Sequence, residues 1–301
     1  LAPAVHQAKN ASLVAVASQD SSRAEALLSA RTYHGSDSYN QIIADPDIDA
    51  IYINLANHQH HQWAIAALKS GKDVLCEKPL ALNAQQVKEM ADAASESGKL
   101  IIEASWMRWH PRFKRAIELV GRGDIGELSA IESAFTFTAD LKDNFRSDQL
   151  LGGGSLLDVG PYQAHVWAAL ASKDAELKID SATANLGPTG IDLTTQVAAT
   201  LNDSVSVSAL TSFEQDEKQS LVISGENGQI EFPQGQAFTS WKEASSIQIG
   251  DHVENFAPVD PFTLMIEAVG RRIKGEPVWL PSLRESLWVM DALDKIKAFS
   301  R

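Results

Sequence analysis

Cysteine is nearly missing from this chain: Cys76 is the one thiol in 301 residues. One thiol excludes an intrachain disulfide, so the fold must rest on its core. Such sparse usage is typical of reducing compartments. No apolar run approaches the roughly 20 residues that span a bilayer, and no signal-peptide pattern is visible. A cytoplasmic location with no membrane partner is the expectation. Basic residues are in deficit, 26 Lys and Arg against 39 Asp and Glu, a formal net charge of −13. A surface of that sign repels phosphate backbones, which excludes nucleic acid as a partner. Internal repeats, low-complexity segments and long linkers are also lacking. Apolar residues are plentiful at 44%, beside 22% charged. That supports two ordinary domains or one large one and argues against disorder.

The first part of the chain alternates strand-like runs with helical stretches. Ser12–Ala17, Ala50–Leu55, Asp73–Cys76 and Lys99–Ala104 read as buried strands. Ser21–Ala30, Asp37–Ala44, His60–Ser70 and Asn83–Ser97 read as helices, the last with Asn83 as cap and Gly98 as stop. This alternation predicts a parallel sheet with helices on both faces. Pro111 opens a further helix to about Val120. The character then changes. Leu128–Thr138, Lys178–Leu186, Leu193–Leu201, Val205–Phe213, Ser220–Ser224 and Gln229–Phe232 are strand-like, with turns at Asn202-Asp203 and Glu226-Asn227-Gly228. They predict an antiparallel sheet with one face more polar than the other. Pro161–Ser172 interrupts it as a helix, and Pro261–Lys274 and Ser282–Phe299 close the chain as two more.

Ligands of open α/β sheets bind beyond the carboxyl ends of the strands. The loops there are Ser18-Gln19-Asp20, Ala56 to His61, Glu77-Lys78-Pro79, and Ser105 to Pro111. Proline holds the preceding Lys78 extended, and an ammonium at a crevice stabilises developing negative charge or donates a proton. A second cluster runs from Gly152 through Asp158, Pro161 and Tyr162 to His165. Pro161 suits a first helical turn, which places Asp158 just before the helix as its cap. A capping carboxylate and a phenol there can serve as orienter and proton relay, or simply cap and pack. His58, His60 and His61 share one loop, yet no Cys or carboxylate stands at ligand spacing, so no metal is expected.

Together these motifs resemble the Gfo/Idh/MocA oxidoreductase family over essentially the whole chain. Leu55-Ala56-Asn57-His58, Glu77-Lys78-Pro79-Leu80-Ala81 and the Gly152–Tyr162 run carry the resemblance, in order and spacing. The last is closest in form to the family's dimeric dihydrodiol dehydrogenases and NADP-dependent D-xylose dehydrogenases. The resemblance implies a Rossmann-type doubly wound parallel sheet at 1–108, then an α+β domain with a large open antiparallel sheet at 109–280. A C-terminal helix at 281–301 packs back on the first domain. It implies an NAD(P)-dependent dehydrogenase or reductase, with a lean to NADP because position 18 is not acidic. The hydride would pass between nicotinamide and a sugar, polyol or trans-dihydrodiol. Alternatives within the fold are a non-catalytic NAD(P)-binding regulatory protein and an NAD-dependent glycosidase.

Lys78, Asp158 and Tyr162 match the catalytic positions, Lys78 lowering the proton affinity of the phenol. Ser18, Arg23, Leu55, Asn57, His58, Glu77, Lys78, Trp106 and Arg108 match cofactor contacts. His165, Phe135 and Trp109 are candidates for the substrate wall. The implied partners are a small sugar-like substrate and further copies of the chain, as a homodimer or homotetramer through the open sheet. One departure stands out. The family opens with a strand and a G-x-G-x-x-G turn, whereas Leu1-Ala2-Pro3-Ala4-Val5 resembles the helix just after that turn. The missing segment is expected to lie outside this sequence rather than to be deleted. Its loss would remove the glycine contacts and helix N-terminus that hold a pyrophosphate.

Overall fold

The structure is a computed structural model, and it describes residues 2–20, 22, 30–171, 175–233 and 237–300. The first layer contains α1 (Ala2–Gln7), β1 (Ala15–Ser18), β2 (Arg31–His34) and α2 (Ser38–Ala44). It continues with β3 (Ala50–Ile53), α3 (Asn57–Lys69), β4 (Asp73–Cys76), α4 (Ala84–Ser97) and β5 (Ile101–Glu103). Every pairing here is parallel: β1 with β2, β3 with β4, β4 with β5. Asn83 caps α4 by accepting from the Gln86 N–H at 2.9 Å, and Gly98 ends it in the left-handed region at φ 65°. The helix expected over 21–30, and with it Arg23, lies outside the described residues.

The parallel layer is split in two. No ladder joins β1-β2 to β3-β4-β5 among the described residues. A cavity of about 810 Å³ lies between the unpaired edges, walled by Ala15, Val16 and Ala17 on one side and Ile51, Tyr52 and Ile53 on the other. The burial pattern follows. β4, paired on both edges, is buried at all its positions, whereas β1 is only half-buried at each of its own.

The second layer opens with a short 3₁₀ turn at Trp106–Trp109 and α5 (Pro111–Gly121). Then come β6 (Leu128–Thr136), α6 (Ser155–Leu170), β7 (Leu177–Leu186), β8 (Asp192–Leu201) and β9 (Val205–Ser212). β10 (Lys218–Gly225), β11 (Gly228–Phe232), β12 (Ser245–Ile249) and β13 (His252–Phe256) complete the sheet. Helices α7 (Pro261–Ile273) and α8 (Leu283–Phe299) follow. The eight strands run in the order β13-β12-β11-β10-β6-β9-β8-β7. The sheet is antiparallel except where β6 and β9 pair in parallel. α6 crosses between them in sequence, so the two strands meet after a crossover rather than a hairpin.

Three differences from the sequence reading have physical causes. The sequence does not mark β2, β12 and β13, because Arg-Thr-Tyr-His, Ser-Ser-Ile-Gln-Ile and His-Val-Glu-Asn-Phe carry many polar side chains and no clear apolar run. α3 starts at Asn57, three residues before the expected His60, and so draws Asn57 and His58 into its first turn. α6 starts at Ser155 rather than Pro161, which puts Pro161 inside the helix and Asp158 in its first turn. Asp158 is therefore not the cap.

One contiguous core runs through both layers, with Trp109 and Trp167 among its largest fully buried members. α8 packs on α4 and β5 of the first layer and on α6 and β7 of the second. Its N-terminus is a full capping box between Ser282 and Glu285.

Candidate active site

The carboxyl ends of β3, β4 and β5 face the N-terminal half of α6, and the chemistry-bearing side chains meet there. Lys78 leaves β4 two residues after its end. Its Nζ donates to the Asp158 carbonyl oxygen at 2.6 Å and to Asp158 Oδ1 at 3.3 Å. The same ammonium lies 5.1 Å from the centre of the Tyr162 ring. The Tyr162 hydroxyl accepts from Trp106 Nε1 at 3.2 Å. Proline at 161 removes one helical donor and crowds the preceding turn. The Asp158 carbonyl that receives Lys78 belongs to that turn.

A cation absent from the sequence reading completes the cluster. Arg146 donates from Nε to Asp158 Oδ2 at 2.9 Å and from Nη2 to Asp158 Oδ1 at 3.2 Å. Nothing in its neighbourhood in the chain marks it, because its position comes from the connection between β6 and α6. Three glycines shape that connection. A Cβ on Gly152 would meet Leu82 and Asn57, one on Gly153 the Arg146 carbonyl oxygen at 2.4 Å, and one on Gly154 the Asp192 carboxylate at 2.1 Å. The close approach that the glycines permit is to protein, not to a ligand. Asp192 also supplies the missing cap of α6: its Oδ2 accepts from the Leu156 N–H at 2.7 Å and the Ser155 hydroxyl at 2.8 Å.

The charges are set by burial and by one another. Burial opposes the Lys78 ammonium, yet Asp158, with Tyr162 and Glu77, outweighs it and holds the lysine above its ordinary pKa. Burial likewise opposes the Asp158 carboxylate, while Lys78 and Arg146 pull it below the usual range. For Tyr162 burial wins. Lys78 works to acidify the phenol, as expected, but the net shift is upward, so Tyr162 is a neutral proton donor.

The other expected residues divide. Asn57 reaches across the crevice, Nδ2 donating to the Gly152 carbonyl at 2.8 Å. Glu77 accepts from the Tyr52 hydroxyl and from the Lys78 N–H. The Ser18 hydroxyl, at the end of β1, accepts from the Asp20 N–H at 3.1 Å. Leu55 is half-buried at the mouth of β3. Trp106 and Phe135 flank Tyr162, with ring centres 6.2 and 5.4 Å away.

Three placements correct the reading. Arg108 is 3% exposed and turned inward, Nη2 donating to Glu285 Oε1 at 2.9 Å; the ion pair with α8 takes it away from the crevice. Trp109 is 1% exposed and packs edge-on against Trp279, so it is core. His165 is fully buried against Ser105 and Glu103 rather than on an open wall. The three neighbouring histidines also diverge: His60 lies between two backbone carbonyls and His61 pairs with Glu89 at 2.8 Å.

A dinucleotide would lie along these strand ends. His58 Nδ1 there is buried and without a hydrogen-bond partner, as befits a group awaiting a polar ligand. With Glu77 and Lys78 it fits the nicotinamide end. The string G-x-G-x-x-G occurs at Gly121–Gly126, but it ends α5 and leads into β6. A pyrophosphate turn needs the opposite order, strand then helix.

Comparison with known proteins agrees with this layout. Residues 1–105 match the domain family described as "Oxidoreductase family, NAD-binding Rossmann fold", and residues 113–231 match the GFO/IDH/MocA C-terminal domain. A D-xylose 1-dehydrogenase (NADP(+)) of Haloferax volcanii is 32% identical over 98% of this chain and 91% of its own. The mouse trans-1,2-dihydrobenzene-1,2-diol dehydrogenase is 32% identical over 72% of this chain, a match spanning 65% of that protein. An uncharacterized oxidoreductase of Rhizobium meliloti is 40% identical over 53% of this chain, and the match spans about half of its length, 48%. Among solved structures, KijD10 of Actinomadura kijaniata, a 3-ketoreductase in complex with NADP and TDP-benzene, superposes with a TM-score of 0.88. It covers 99% of this chain and 93% of its own at 23% identity, a likeness of fold.

Proposed function

The chain belongs to the Gfo/Idh/MocA oxidoreductase family, and from that membership we propose that it oxidises or reduces a CH–OH group of a sugar, polyol or trans-dihydrodiol. The cofactor is NAD(P), with NADP preferred, in keeping with the Haloferax relative's name. The observation that carries the reading is the meeting of Lys78, Asp158 and Tyr162 at the carboxyl ends of the parallel strands.

When bound, the nicotinamide accepts or supplies a hydride. Glu77, Lys78 and His58 would hold its end of the cofactor, with Asn57 and Leu55 beside them. The chain's own part is proton and charge management. An ammonium has three N–H groups, and Lys78 spends two of its contacts on Asp158. A third is left to stabilise a substrate oxyanion. Because Trp106 donates to the Tyr162 oxygen, the phenolic hydrogen is free to pass to a substrate oxygen during reduction. In oxidation the phenol oxygen takes that proton back. Asp158 fixes the lysine, and Arg146 fixes Asp158. The exposed alternation of Gln196 and Ala198 on β8 with Ser206 and Ser208 on β9 is where a second copy packs, as a homodimer or homotetramer. No helix among the described residues is long and apolar enough to cross a membrane.

The test is reduced-nicotinamide absorbance with NADP or NAD against a panel of aldoses, polyols and dihydrodiols. Lys78→Met should abolish turnover and leave the circular dichroism spectrum unchanged. Near wild-type turnover in that variant, or no turnover of any panel member by the unaltered protein, overturns the reading.

A further inference from the structure

Glu103, the last residue of β5, is a fully buried carboxylate that the reaction as described does not use. Isolated burial of such a charge is unfavourable unless its oxygens are satisfied, so its partners show what the residue is for. Oε1 accepts from the Leu80 N–H at 3.1 Å. Oε2 lies at ion-pair distance, 3.1 Å, from His165 Nε2, with no further hydrogen-bond donor on it among the described residues. Leu80 is two residues past Lys78. His165 is three residues past Tyr162, on the next turn of α6. One carboxylate therefore touches the loop that carries the lysine and the helix that carries the phenol and the aspartate.

The grip on the loop is two-sided. With its proton on Nδ1, His60 donates to the Pro79 carbonyl oxygen at 2.8 Å, while Glu103 takes the Leu80 N–H. Both groups belong to the single peptide between Pro79 and Leu80. That plane cannot rotate without breaking a buried contact at each end, and its orientation helps set the direction in which the preceding Lys78 points. On the helix side, His165 Nε2 is also within hydrogen-bond reach of the Ser105 hydroxyl, and its Nδ1 is buried without a partner. Burial pushes the Glu103 carboxyl up, but His165 and the hydrogen bonds outweigh it and hold it below the usual glutamate range.

We propose that Glu103 is a positioning residue that registers the Lys78 loop against the Asp158–Tyr162 helix, acting through the Pro79–Leu80 peptide on one side and His165 on the other. It acts on the site assigned above and rests on that reading for its effect on turnover. Its effect on Lys78 geometry does not depend on that reading. Both are therefore measured, in the full chain, for Glu103→Ala and Glu103→Gln. The amide of the second variant keeps an acceptor for Leu80 and loses the charge facing His165.

Glu103→Ala should lower kcat at least tenfold while the cofactor Kd stays within twofold. Glu103→Gln should lie between it and the unaltered protein. In parallel, acetic anhydride labelling read by mass spectrometry should show Lys78 acylated severalfold faster in Glu103→Ala, relative to Lys9 and Lys99 as internal references. If Glu103→Ala fails to fold, Glu103→Gln carries the same two readouts. A kcat loss that follows the fraction of folded protein, or an unchanged Lys78 labelling rate in a folded variant, overturns the proposal. Absence of turnover in the unaltered protein counts against the assigned function alone, because the labelling rates still decide this one.

Discussion

Replacing Arg146 with methionine tests whether Asp158 is shared between two cations. Arg146 holds the carboxylate through both oxygens at 2.9 and 3.2 Å, and Lys78 shares Oδ1 with it at 3.3 Å. Two like charges about 6 Å apart repel by roughly 3 kcal/mol at an effective dielectric near 20. The Arg146 side chain is 33% exposed, and solvent screening reduces the figure to about 1 kcal/mol. Without Arg146 the Lys78 ammonium loses that repulsion and keeps Asp158 to itself. Its pKa, already raised and opposed by Arg146, climbs further, so the alkaline limb of kcat/KM should move up.

The acid side should respond as well. A carboxylate with a depressed folded pKa contributes stability above its unfolded value, and that stability is lost as pH falls through the folded value. Asp158 is held below 3.8 partly by Arg146. In Arg146→Met its pKa rises, and acid unfolding should begin at higher pH. The assays are a pH–rate profile with saturating cofactor and a pH titration of circular dichroism. An alkaline limb that stays in place or moves down, in a folded variant, would refute the shared-carboxylate argument.

Tyr162→Phe should lower kcat by roughly 10²–10⁴-fold with little change in cofactor affinity, the usual range for losing a positioned proton donor; steady-state kinetics with both substrates varied would check this, and a loss under threefold would contradict it. Asp192→Ala removes the cap of α6 and strands the Leu156 N–H and the Ser155 and Thr195 hydroxyls. It should cost roughly 2–3 kcal/mol in urea unfolding. Asp192→Asn keeps an acceptor and relieves a carboxyl whose pKa burial raises, so it should fall within about 1 kcal/mol of the unaltered protein. Equal losses in the two variants would deny the capping role.

The sequence revealed the parts of this fold that obey one dominant rule. Asp73–Cys76 is a run of buried residues bounded by turn residues, and its limits are those of β4. Asn83 and Gly98 punctuate α4 as cap and stop. Lys78 was legible because a lysine before proline at a strand exit is unusual chemistry in an informative place. What was not legible depended on distant residues. The start of α6 is set by Asp192, 34 positions after Asp158 in the chain, so Pro161 misled as a start signal. Arg146 gave no local sign of its partner. Arg108 and His165 matched motifs, but their surroundings drew them inward, to Glu285 and to Glu103.

The split between β1-β2 and β3-β4-β5 leaves two bare strand edges facing one cavity. A two-stranded ribbon is marginal by itself, and among the described residues this one adjoins α2 and shares no ladder with β3-β4-β5. A backbone laid along both bare edges would gain two rows of hydrogen bonds in one event and would fuse two weak units into a single stiff plate. The Lys78 end lies beside a strand already paired on both sides.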